Sequence, residues 1–528
     1  MACAAYVLLL LNWSFWTYLS NSVSITGLFT GLFAFSLPLI AFTLLYTFFS
    51  LLAWGRACKP VLAILLLTAA AADYFMYRYG IVIDKDMVRN VVQTNPAEAW
   101  DLLTADAILR VGVLGLLPVV LLFKSGLRRE SFWQESKRRL KGLGLCLLVC
   151  VLCVGATYKE YIVFGRNHKR VAKMLNPLNS VFAAADYAKR QFAAPKTFAR
   201  IDENVRLAPF ADSDVMVFIL IVGETARAEN FSLNGYARDT NPKLAEQDIV
   251  NFPDVTSAGT FTAFSVPAIF SPLSRKDFDP DKAAYSENLL DLLQHSGYQV
   301  LWRENNTGCK GVCARVTTED MVKRNNPAYC DGSYCYDETL LDGLEEYLSN
   351  VTRDTVIVLH TLGSHGPAYY KRYPAEYKVF EPTCDTSEIQ SCPRETIVNT
   401  YDNSILYTDA FVSKAIALLR KFPRFESGLL YVSDHGESLG ENGLYLHGLP
   451  YAIAPDTQKK VPMVLWMSDV MRREDHIDYD CLKKYAATHS VSHDNLFHSL
   501  AGLMEIKTWL YVRDLDMFQA CRTKELPE

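Results

Sequence analysis

The sequence predicts two regions: a bundle of five transmembrane helices at the amino terminus, followed by an α/β domain whose central sheet is mostly parallel. Long apolar runs lie before residue 165, whereas the later sequence alternates short apolar strands with helical patterns. A chain of 528 residues also exceeds the length of one compact domain. We place the transmembrane domain at 1–165, an interfacial helical linker at 166–205 and the α/β domain at 206–528.

Five apolar segments precede residue 165, and each approaches the roughly 20 residues that span a bilayer. The first could be a signal peptide, but it lacks a basic start and a small-residue cleavage site, so we interpret it as a retained helix. The sequence therefore predicts five spans. They are Ala4–Leu19, Ile25–Trp54, Pro60–Tyr79, Ile108–Phe123 and Leu143–Val163.

Basic residues predict the orientation of these helices. Arg56 and Lys59 lie between the second and third segments. The loop between the fourth and fifth segments carries Lys124, Arg128, Arg129, Lys137, Arg138, Arg139 and Lys141. The positive-inside rule places both loops and the amino terminus in the cytoplasm, and the α/β domain on the other side.

The linker combines basic residues with apolar residues at helical spacing, interrupted at Pro177. This pattern predicts helices lying on the membrane surface. A buried bridging helix is the alternative interpretation. The net charge of −5 argues against nucleic acid as a partner, because such proteins need a basic domain.

Six cysteines of the α/β domain form close pairs in the sequence. Such short loops suit disulfides in an oxidising compartment, in agreement with the predicted orientation. A zinc finger is the alternative, although it would require paired CxxC-type spacings. Cys481 and Cys521 could pair or stay free. The close pairs are Cys309/Cys313, Cys330/Cys335 and Cys384/Cys392.

Strands and helices alternate after residue 206, which is typical of a doubly wound α/β domain. The predicted strands are apolar and rich in β-branched residues, as strands buried on both faces are. They are Val215–Val222, Asp354–Leu359, Gly428–Val432 and Val461–Trp466. The predicted helices include Glu287–His295, Tyr336–Leu348 and Thr396–Arg420.

Metal-binding side chains follow the first three predicted strands. Glu224 follows the first, His365 the second, and Asp434 with His435 the third, while His447 comes on a glycine-rich loop. Carboxyl ends of strands in open α/β sheets meet at the edge that binds ligands. Mixed carboxylate and imidazole ligands suit Zn²⁺. Each residue alone could belong to an ordinary turn, but their combination favours a metal site.

A candidate nucleophile lies in the segment Ser257–Pro267, where Thr260, Thr262 and Ser265 precede a helix-compatible stretch. A threonine hydroxyl bound to Zn²⁺ can be held as the alkoxide near neutral pH, and the metal also polarises a phosphoryl oxygen. Ordinary helix capping by these hydroxyls is an equally good interpretation of the segment alone.

These motifs resemble the membrane phosphoethanolamine transferases that modify lipid A, within the alkaline phosphatase and sulfatase superfamily. The five-segment anchor matches as well, so the resemblance covers essentially the whole chain. The matching stretches are Val222–Asn230 with Asn234–Tyr236, Gly259–Pro267, Asn305–Cys313, His360–Pro367 and Ser433–His447.

The resemblance implies one tightly bound catalytic Zn²⁺, with Thr262 rather than Thr260 as the nucleophile. The implied ligands of this ion are Glu224, Thr262, Asp434 and His435.

Further positions are implied around this centre. His365 and His447 resemble second-metal or phosphate-binding positions, and Asn306 and Lys310 resemble those that contact phosphoethanolamine. Relatives often carry cysteines where this chain has Ala258 and Ala268. Losing that disulfide removes no chemical group, so we expect activity to survive.

The implied reaction moves phosphoethanolamine from phosphatidylethanolamine to a lipid A phosphate through a phospho-threonine, which lowers surface negative charge and gives resistance to cationic peptides such as polymyxin. The implied location is the bacterial inner membrane, with a periplasmic catalytic domain, and a monomer is expected. Alternatives are another acceptor (core sugar, glycan or protein), a phosphoglycerol transferase or phosphatase, and a non-catalytic sensor.

Overall fold

The computed structural model describes residues 1–23, 25, 27–94, 96–126, 131–168, 170–192, 197–208 and 214–524. Arg128 and Arg129, which contribute to the orientation prediction, lie outside the described residues. The chain divides into two compact units. One comprises Met1–Val92 and Leu102–Phe192, and the other comprises Gln93–Asp101 and Ala193–Glu528.

Before residue 193 the described secondary structure is helical. A π-helical turn, Gly112–Leu116, joins α7 to α8. The helices are α1 (Ala2–Leu10), α2 (Trp13–Ser22), α3 (Leu28–Leu52), α4 (Cys58–Tyr79), α5 (Lys85–Gln93), α6 (Pro96–Leu102), α7 (Ala105–Val111), α8 (Leu117–Lys124), α9 (Phe132–Ala156), α10 (Tyr158–Asn167) and α11 (Leu178–Gln191).

Among the described residues, four helical stretches are long and apolar enough to cross a membrane. The bent pair α1 and α2 makes a fifth if it forms one span, so the predicted number of apolar helices is confirmed as four to five. The four stretches are Leu28–Leu52, Gly55–Tyr79, Ala105–Lys124 and Phe132–Ala156.

The first predicted span is not one continuous helix, because α1 and α2 meet at an angle of 63°. The break falls at Asn12, whose side-chain amide donates to the carbonyls of Val7 and Asn176, both at 3.0 Å. Its Oδ1 accepts the Asn176 N–H at 2.7 Å. Satisfying backbone groups in this way is what makes a helix break tolerable in an apolar region.

The second unit contains the predicted α/β fold. Its strands are β1 (Arg206–Leu207), β2 (Met216–Gly223), β3 (Val250–Thr256), β4 (Gln299–Glu304), β5 (Thr317–Asp320), β6 (Thr355–His360), β7 (Glu426–Ser433), β8 (Ser438–Leu439), β9 (Tyr445–Leu446), β10 (Lys460–Met467), β11 (Val491–Ser492) and β12 (Ile506–Lys507). Within the described part of this unit, eight strands form one sheet in the order β11-β3-β10-β7-β2-β6-β4-β5.

The prediction of a mostly parallel sheet is confirmed. The pairs β11–β3, β7–β2, β2–β6, β6–β4 and β4–β5 are parallel, and only the pairs with β10 are antiparallel in this sheet as described. The fourth predicted strand therefore runs against its neighbours. Its carboxyl end lies at the edge opposite to that of β2, β6 and β7.

Helices cover both faces of the sheet. Successive residues of β2 alternate between two apolar clusters: Phe218 and Leu220 lie in one, Val217 and Ile219 in the other. The helices are α12 (Pro242–Ala245), α13 (Thr262–Ile269), α14 (Pro280–Ala283), α15 (Leu289–His295), α16 (Met321–Arg324), α17 (Leu344–Ser349), α18 (Arg394–Arg420), α19 (Asp469–Glu474), α20 (Tyr479–Thr488) and α21 (Leu496–Leu503).

The predicted helix Tyr336–Leu348 is interrupted. A 3₁₀ turn, Asp337–Leu341, precedes α17, and Gly343 between them has φ +68°. This left-handed conformation ends one helical segment before the next begins.

Candidate metal centre and active site

The adjacent ends of β2 and β7 bring three ionisable side chains together. Gly223 pairs with Ser433 at the last position of the parallel ladder, and the Asp434 N–H donates to the Gly223 carbonyl at 2.9 Å. Glu224 therefore leaves the sheet next to Asp434 and His435. One ligand atom from each of these three buried residues lies within 4.8 Å of the others.

Thr262, the first residue of α13, points into this cluster. Its Oγ1 lies 3.2 Å from Oε2 of Glu224 and 3.4 Å from Nε2 of His435. The Thr260 hydroxyl instead donates to the Leu449 carbonyl at 2.7 Å. The structure thus brings Thr262 to the predicted metal ligands and gives Thr260 a hydrogen bond within the fold.

The cluster has the donor arrangement of a cation site. Oδ1 of Asp434 accepts N–H groups from Thr225 and His435, at 3.2 and 2.7 Å, whereas the buried Oδ2 accepts no hydrogen bond from any described residue. Nδ1 of His435 lies 2.9 Å from the Gly436 carbonyl. That oxygen can only accept, so Nδ1 carries a hydrogen and Nε2 is directed at the carboxylates. Both features suit a divalent cation.

Electrostatics support this fit. Burial opposes the charge of His435, but Asp434 and Glu224 raise its pKa to about 10. Burial, together with Glu224, raises the pKa of Asp434 to about 7. Burial acts against ionisation of Glu224 too, yet His435 holds the pKa of that carboxyl well below its usual range. The cluster therefore retains a proton near neutral pH, and a bound cation would replace it.

Asn306 reaches the same cluster from the loop after β4. Its side-chain amide donates to Oε2 of Glu224 at 2.8 Å and to the Thr361 carbonyl at 2.7 Å. The Asn306 N–H donates to Glu304 at 2.7 Å, and the Glu304 carboxylate lies 3.0 Å from Nδ1 of His360. This second layer of contacts fixes the orientation of Glu224.

Glu304 and His360 were not identified from the sequence as site residues. They are the last residues of β4 and β6 and face each other in the parallel register. The signal available in the sequence was the same one that marked Glu224, an ionisable residue at the end of an apolar strand.

The structure places His365 and His447 beside the cluster. The ring of His447 has its centroid 4.3 Å from that of His435 and 5.5 Å from that of His365. Oε2 of Glu437, another residue missed from the sequence, lies 3.5 Å from Nδ1 of His447. Burial raises the pKa of Glu437 to about 8. The imidazoles of His365 and His447 and the buried carboxyl of Glu437 therefore form a second polar cluster beside the proposed metal ligands.

Lys310 lies farther along the loop that carries Asn306. Its ammonium donates to the hydroxyl and the carbonyl of Thr307, at 2.7 and 3.0 Å. The turn is closed by a disulfide. Among the described residues, the disulfides are Cys309–Cys313, Cys330–Cys335, Cys384–Cys392 and Cys481–Cys521.

A tight glycine and a buried histidine position the segments around the site. Gly363 has φ +53°, and a Cβ there would lie 2.6 Å from the Glu224 carbonyl. Buried His493 accepts the Ala258 N–H at 3.2 Å, and its Nε2 lies 3.0 Å from the Ser433 carbonyl, so it connects the Thr262 segment to the end of β7. Ala258 and Ala268, the positions where relatives often carry cysteines, lie in one apolar cluster.

This fold and site are matched by known families. The sequence model of the sulfatase family matches residues 217–506. A second model, described as phosphoethanolamine transferase EptA/EptB, matches residues 41–192. The second unit thus belongs to the sulfatase class of the alkaline phosphatase superfamily, joined to an amino-terminal region of apolar helices.

Individual relatives are similar over most of their length. Phosphoethanolamine transferase EptA of Escherichia coli K12 is 43% identical over 535 residues, covering 99% of this chain and 96% of that protein. Phosphatidylethanolamine transferase Mcr-1 of E. coli is 39% identical over 421 residues, 77% of this chain and 78% of that protein.

A solved structure agrees with these matches. The integral membrane protein lipooligosaccharide phosphoethanolamine transferase A (EptA) from Neisseria meningitidis aligns with a TM-score of 0.95 and 39% identity, covering 98% of this chain and 97% of that one. The chain belongs to the phosphoethanolamine transferase EptA/EptB family. It is an enzyme of that transferase type, and its apolar helices are those of a membrane protein.

Proposed function

We propose that this enzyme transfers phosphoethanolamine from phosphatidylethanolamine to a phosphate of lipid A through a covalent intermediate on Thr262. The supporting observation is the position of the Thr262 hydroxyl, 3.2 Å from Glu224 and 3.4 Å from His435 within a buried cluster suited to a cation. The names of two relatives include phosphatidylethanolamine and lipooligosaccharide, which match the proposed donor and acceptor.

We assign the metal to Zn²⁺, held by Glu224, Thr262, Asp434 and His435, because mixed carboxylate and imidazole ligands suit this ion. When bound, Zn²⁺ supplies Lewis-acid chemistry: it favours the threonine alkoxide and stabilises negative charge on the phosphoryl oxygens. His365 and His447 are proposed to bind the phosphate or a second metal ion.

In the first step, Oγ1 of Thr262 forms a bond to the donor phosphorus, and the bond from phosphorus to the glycerol oxygen breaks. The hydroxyl proton of Thr262 is released, and the departing diacylglycerol oxygen takes up a proton. Asn306, through its amide, keeps Glu224 in place, and Lys310 contributes positive charge to the phosphoryl group. His447 lies beside His435 and His365 beside His447, where the two imidazoles would contact the phosphoryl group.

In the second step, an oxygen of the acceptor phosphate attacks the same phosphorus, the bond to Thr262 breaks, and Oγ1 of Thr262 takes up a proton again. The product carries an added ethanolamine cation, so the membrane surface becomes less negative and attracts cationic peptides such as polymyxin less strongly. We place the enzyme in the bacterial inner membrane, with a cytoplasmic amino terminus and a periplasmic catalytic domain.

Mass spectrometry of lipid A from a bacterial host tests the proposal. Wild type should add one phosphoethanolamine and release diacylglycerol, whereas Thr262→Ala should do neither. Thr260→Ala is the matched control, because its hydroxyl binds the Leu449 carbonyl and should matter only for local stability. Wild type that releases diacylglycerol without modifying lipid A would assign another acceptor. Activity retained by Thr262→Ala would overturn the nucleophile.

A further inference from the structure

A surface cavity lies in the same unit as the metal cluster. It is a cavity of about 350 Å³, within the size range of small-molecule sites. Its wall includes the end of α13, residues Lys282 and Ala283 of α14, and the turn closed by Cys309–Cys313. None of the proposed metal ligands lines it, although Lys310 of the neighbouring loop does, so this cavity adjoins the metal centre without including it.

Two chain segments connect the cavity to the transfer site. Helix α13 begins with Thr262 in the metal cluster and reaches the cavity wall at Pro267. Five residues of helix cover roughly 8 Å at 1.5 Å per residue. The second segment has Asn306 hydrogen-bonded to Glu224 and lines the cavity with Lys310. A molecule in this cavity would lie close to a phosphoryl group on Thr262.

The lining of the cavity favours an anionic group. It includes the cationic side chains of Arg200, Lys282 and Lys310. The two acidic residues of the lining already have partners in the fold. Glu287 accepts the Ile201 N–H at 3.1 Å and lies 4.0 Å from Arg200, and Asp279 accepts the N–H of Asp281 at 2.9 Å. Arg200 shares its charge with Glu287, whereas the exposed Lys282 ammonium can contact an added anion directly.

Large apolar side chains lie exposed at the same site. Trp509 is 76% exposed and Leu273 is 48% exposed, and both line the cavity. Phe198 and Tyr285 are exposed as well. The bridge between Ala199 and Ser286 brings their two segments together beside the cavity, whose lining includes Arg200 and Ser286. Exposed aromatic and aliphatic groups mixed with lysine and arginine are typical of surfaces that contact lipids.

We propose that this cavity binds the phosphorylated end of the acceptor lipid, with its phosphate at Lys282 and Arg200 and its apolar part against Trp509 and Leu273. The inference rests on the proposed function, because it assigns the acceptor side of that transfer. The donor phosphate lies at Thr262 in the proposed first step, and the diacylglycerol part of the donor has no charge to match the cationic lining, so the acceptor phosphate suits the cavity better than the donor does.

The two half-reactions separate this proposal from the proposed function. The full-length enzyme in detergent micelles is mixed with phosphatidylethanolamine alone, and the covalent phosphoethanolamine enzyme is measured by intact mass in a single turnover. Lipid A is then added, and the KM for lipid A is measured. Lys282→Glu and Trp509→Ala should each raise this KM about tenfold and leave covalent-enzyme formation within about twofold of wild type. Lys484→Glu, the same charge change on exposed α20, should leave both quantities unchanged.

Other results would overturn the assignment. An unchanged KM in both variants would exclude the cavity from acceptor binding. Slower formation of the covalent enzyme in both variants would assign the cavity to the donor. Inorganic phosphate that inhibits lipid A modification equally in wild type and Lys282→Glu would show that the phosphate binds elsewhere. Absence of the covalent enzyme in wild type would instead refute the proposed function.

Discussion

Two regions of the second unit bury carboxylates in different ways. Where α12 contacts α18, the two oxygens of Asp409 accept the N–H groups of Lys243 and Leu244, both at 2.9 Å. At the edge of the sheet, Asp434 has one oxygen with two backbone donors, whereas Oδ2 accepts no hydrogen bond from a described residue and lies 3.4 Å from Nε2 of His435. The first carboxylate is fully paired by the fold, whereas the second is arranged to bind something else.

The number of hydrogen-bond donors on each oxygen distinguishes a carboxylate buried for packing from one buried for function. A buried carboxylate with protein donors on every oxygen contributes to packing and orientation, and its loss should affect mainly stability. A buried carboxylate with no hydrogen-bond donor on one oxygen, which shares a single imidazole with a second carboxylate, costs stability unless a cation compensates the excess negative charge. Variants of the two regions should therefore change different measurements.

The largest effect is expected for Asp434→Asn. Removing the charged ligand should weaken Zn²⁺ binding by at least about 100-fold and abolish transfer. The metal-free thermal midpoint should change little, because Glu224, 3.2 Å from Nε2 of His435, still pairs with that imidazole in the variant. Chelator competition measures the affinity, and thermal unfolding of the full-length protein in EDTA measures the stability. An unchanged Zn²⁺ affinity would contradict the ligand assignment.

Gly363→Ala should have the next largest effect on activity. Its Cβ would lie 2.6 Å from the Glu224 carbonyl, so the ligand must move, and we expect transfer to fall roughly 10- to 100-fold. Gly297→Ala is the matched control. Gly297 also has a positive φ, +111°, but its Cβ would meet no atom within 4 Å, so stability should decline while transfer is retained. Equal transfer in the two variants would argue against the contact with Glu224.

Asp409→Asn should lower stability and leave Zn²⁺ binding intact, which is the opposite of what we expect for Asp434→Asn. We expect a loss of about 1–3 kcal/mol in the free energy of unfolding, because one backbone N–H loses its acceptor. Zn²⁺ affinity and transfer should stay near wild type. Thermal unfolding and chelator competition provide the two measurements, and a large loss of Zn²⁺ affinity would remove the distinction between the regions.

The last prediction concerns the dependence of stability on pH. Burial raises the pKa of Asp409 to about 7, above its usual unfolded value of about 3.9. The folded state therefore binds the proton more tightly, and the stability contributed by this proton is lost as pH rises from about 4 through about 7. The stability difference between wild type and Asp409→Asn should shrink between pH 5 and pH 8, as followed by thermal unfolding. A difference that grows would contradict the raised pKa.

The sequence predicted four of the eight strands described in the sheet, but not the direction of each one. The apolar runs at β2, β6 and β7 lie within two residues of their observed bounds. The run Val461–Trp466 indicated a buried strand, and β10 is one, yet it is antiparallel to both neighbours. Burial on both faces leaves a local pattern of apolar residues, whereas strand direction depends on the path of the connecting chain.

Helix breaks were harder to predict than helices. The residues around Asn12 are apolar enough for one span, and the break there depends on hydrogen bonds to Asn176, far away in the sequence. The 27-residue helix α18 was predicted within two residues, because its amphipathic pattern is long and uninterrupted.

The sequence by itself determined which donors stand at the ends of the strands, because an apolar run followed by Glu224, or by Asp434 and His435, is a local pattern. The local pattern left Thr260 and Thr262 as equal candidates, and the family resemblance implied Thr262. The tertiary structure shows that Thr262 faces these donors, and it alone shows that Asn306 holds Glu224. It also placed Glu437 beside His447. These contacts depend on how separate segments pack, and side-chain direction at such junctions is set by the packed core rather than by neighbouring residues.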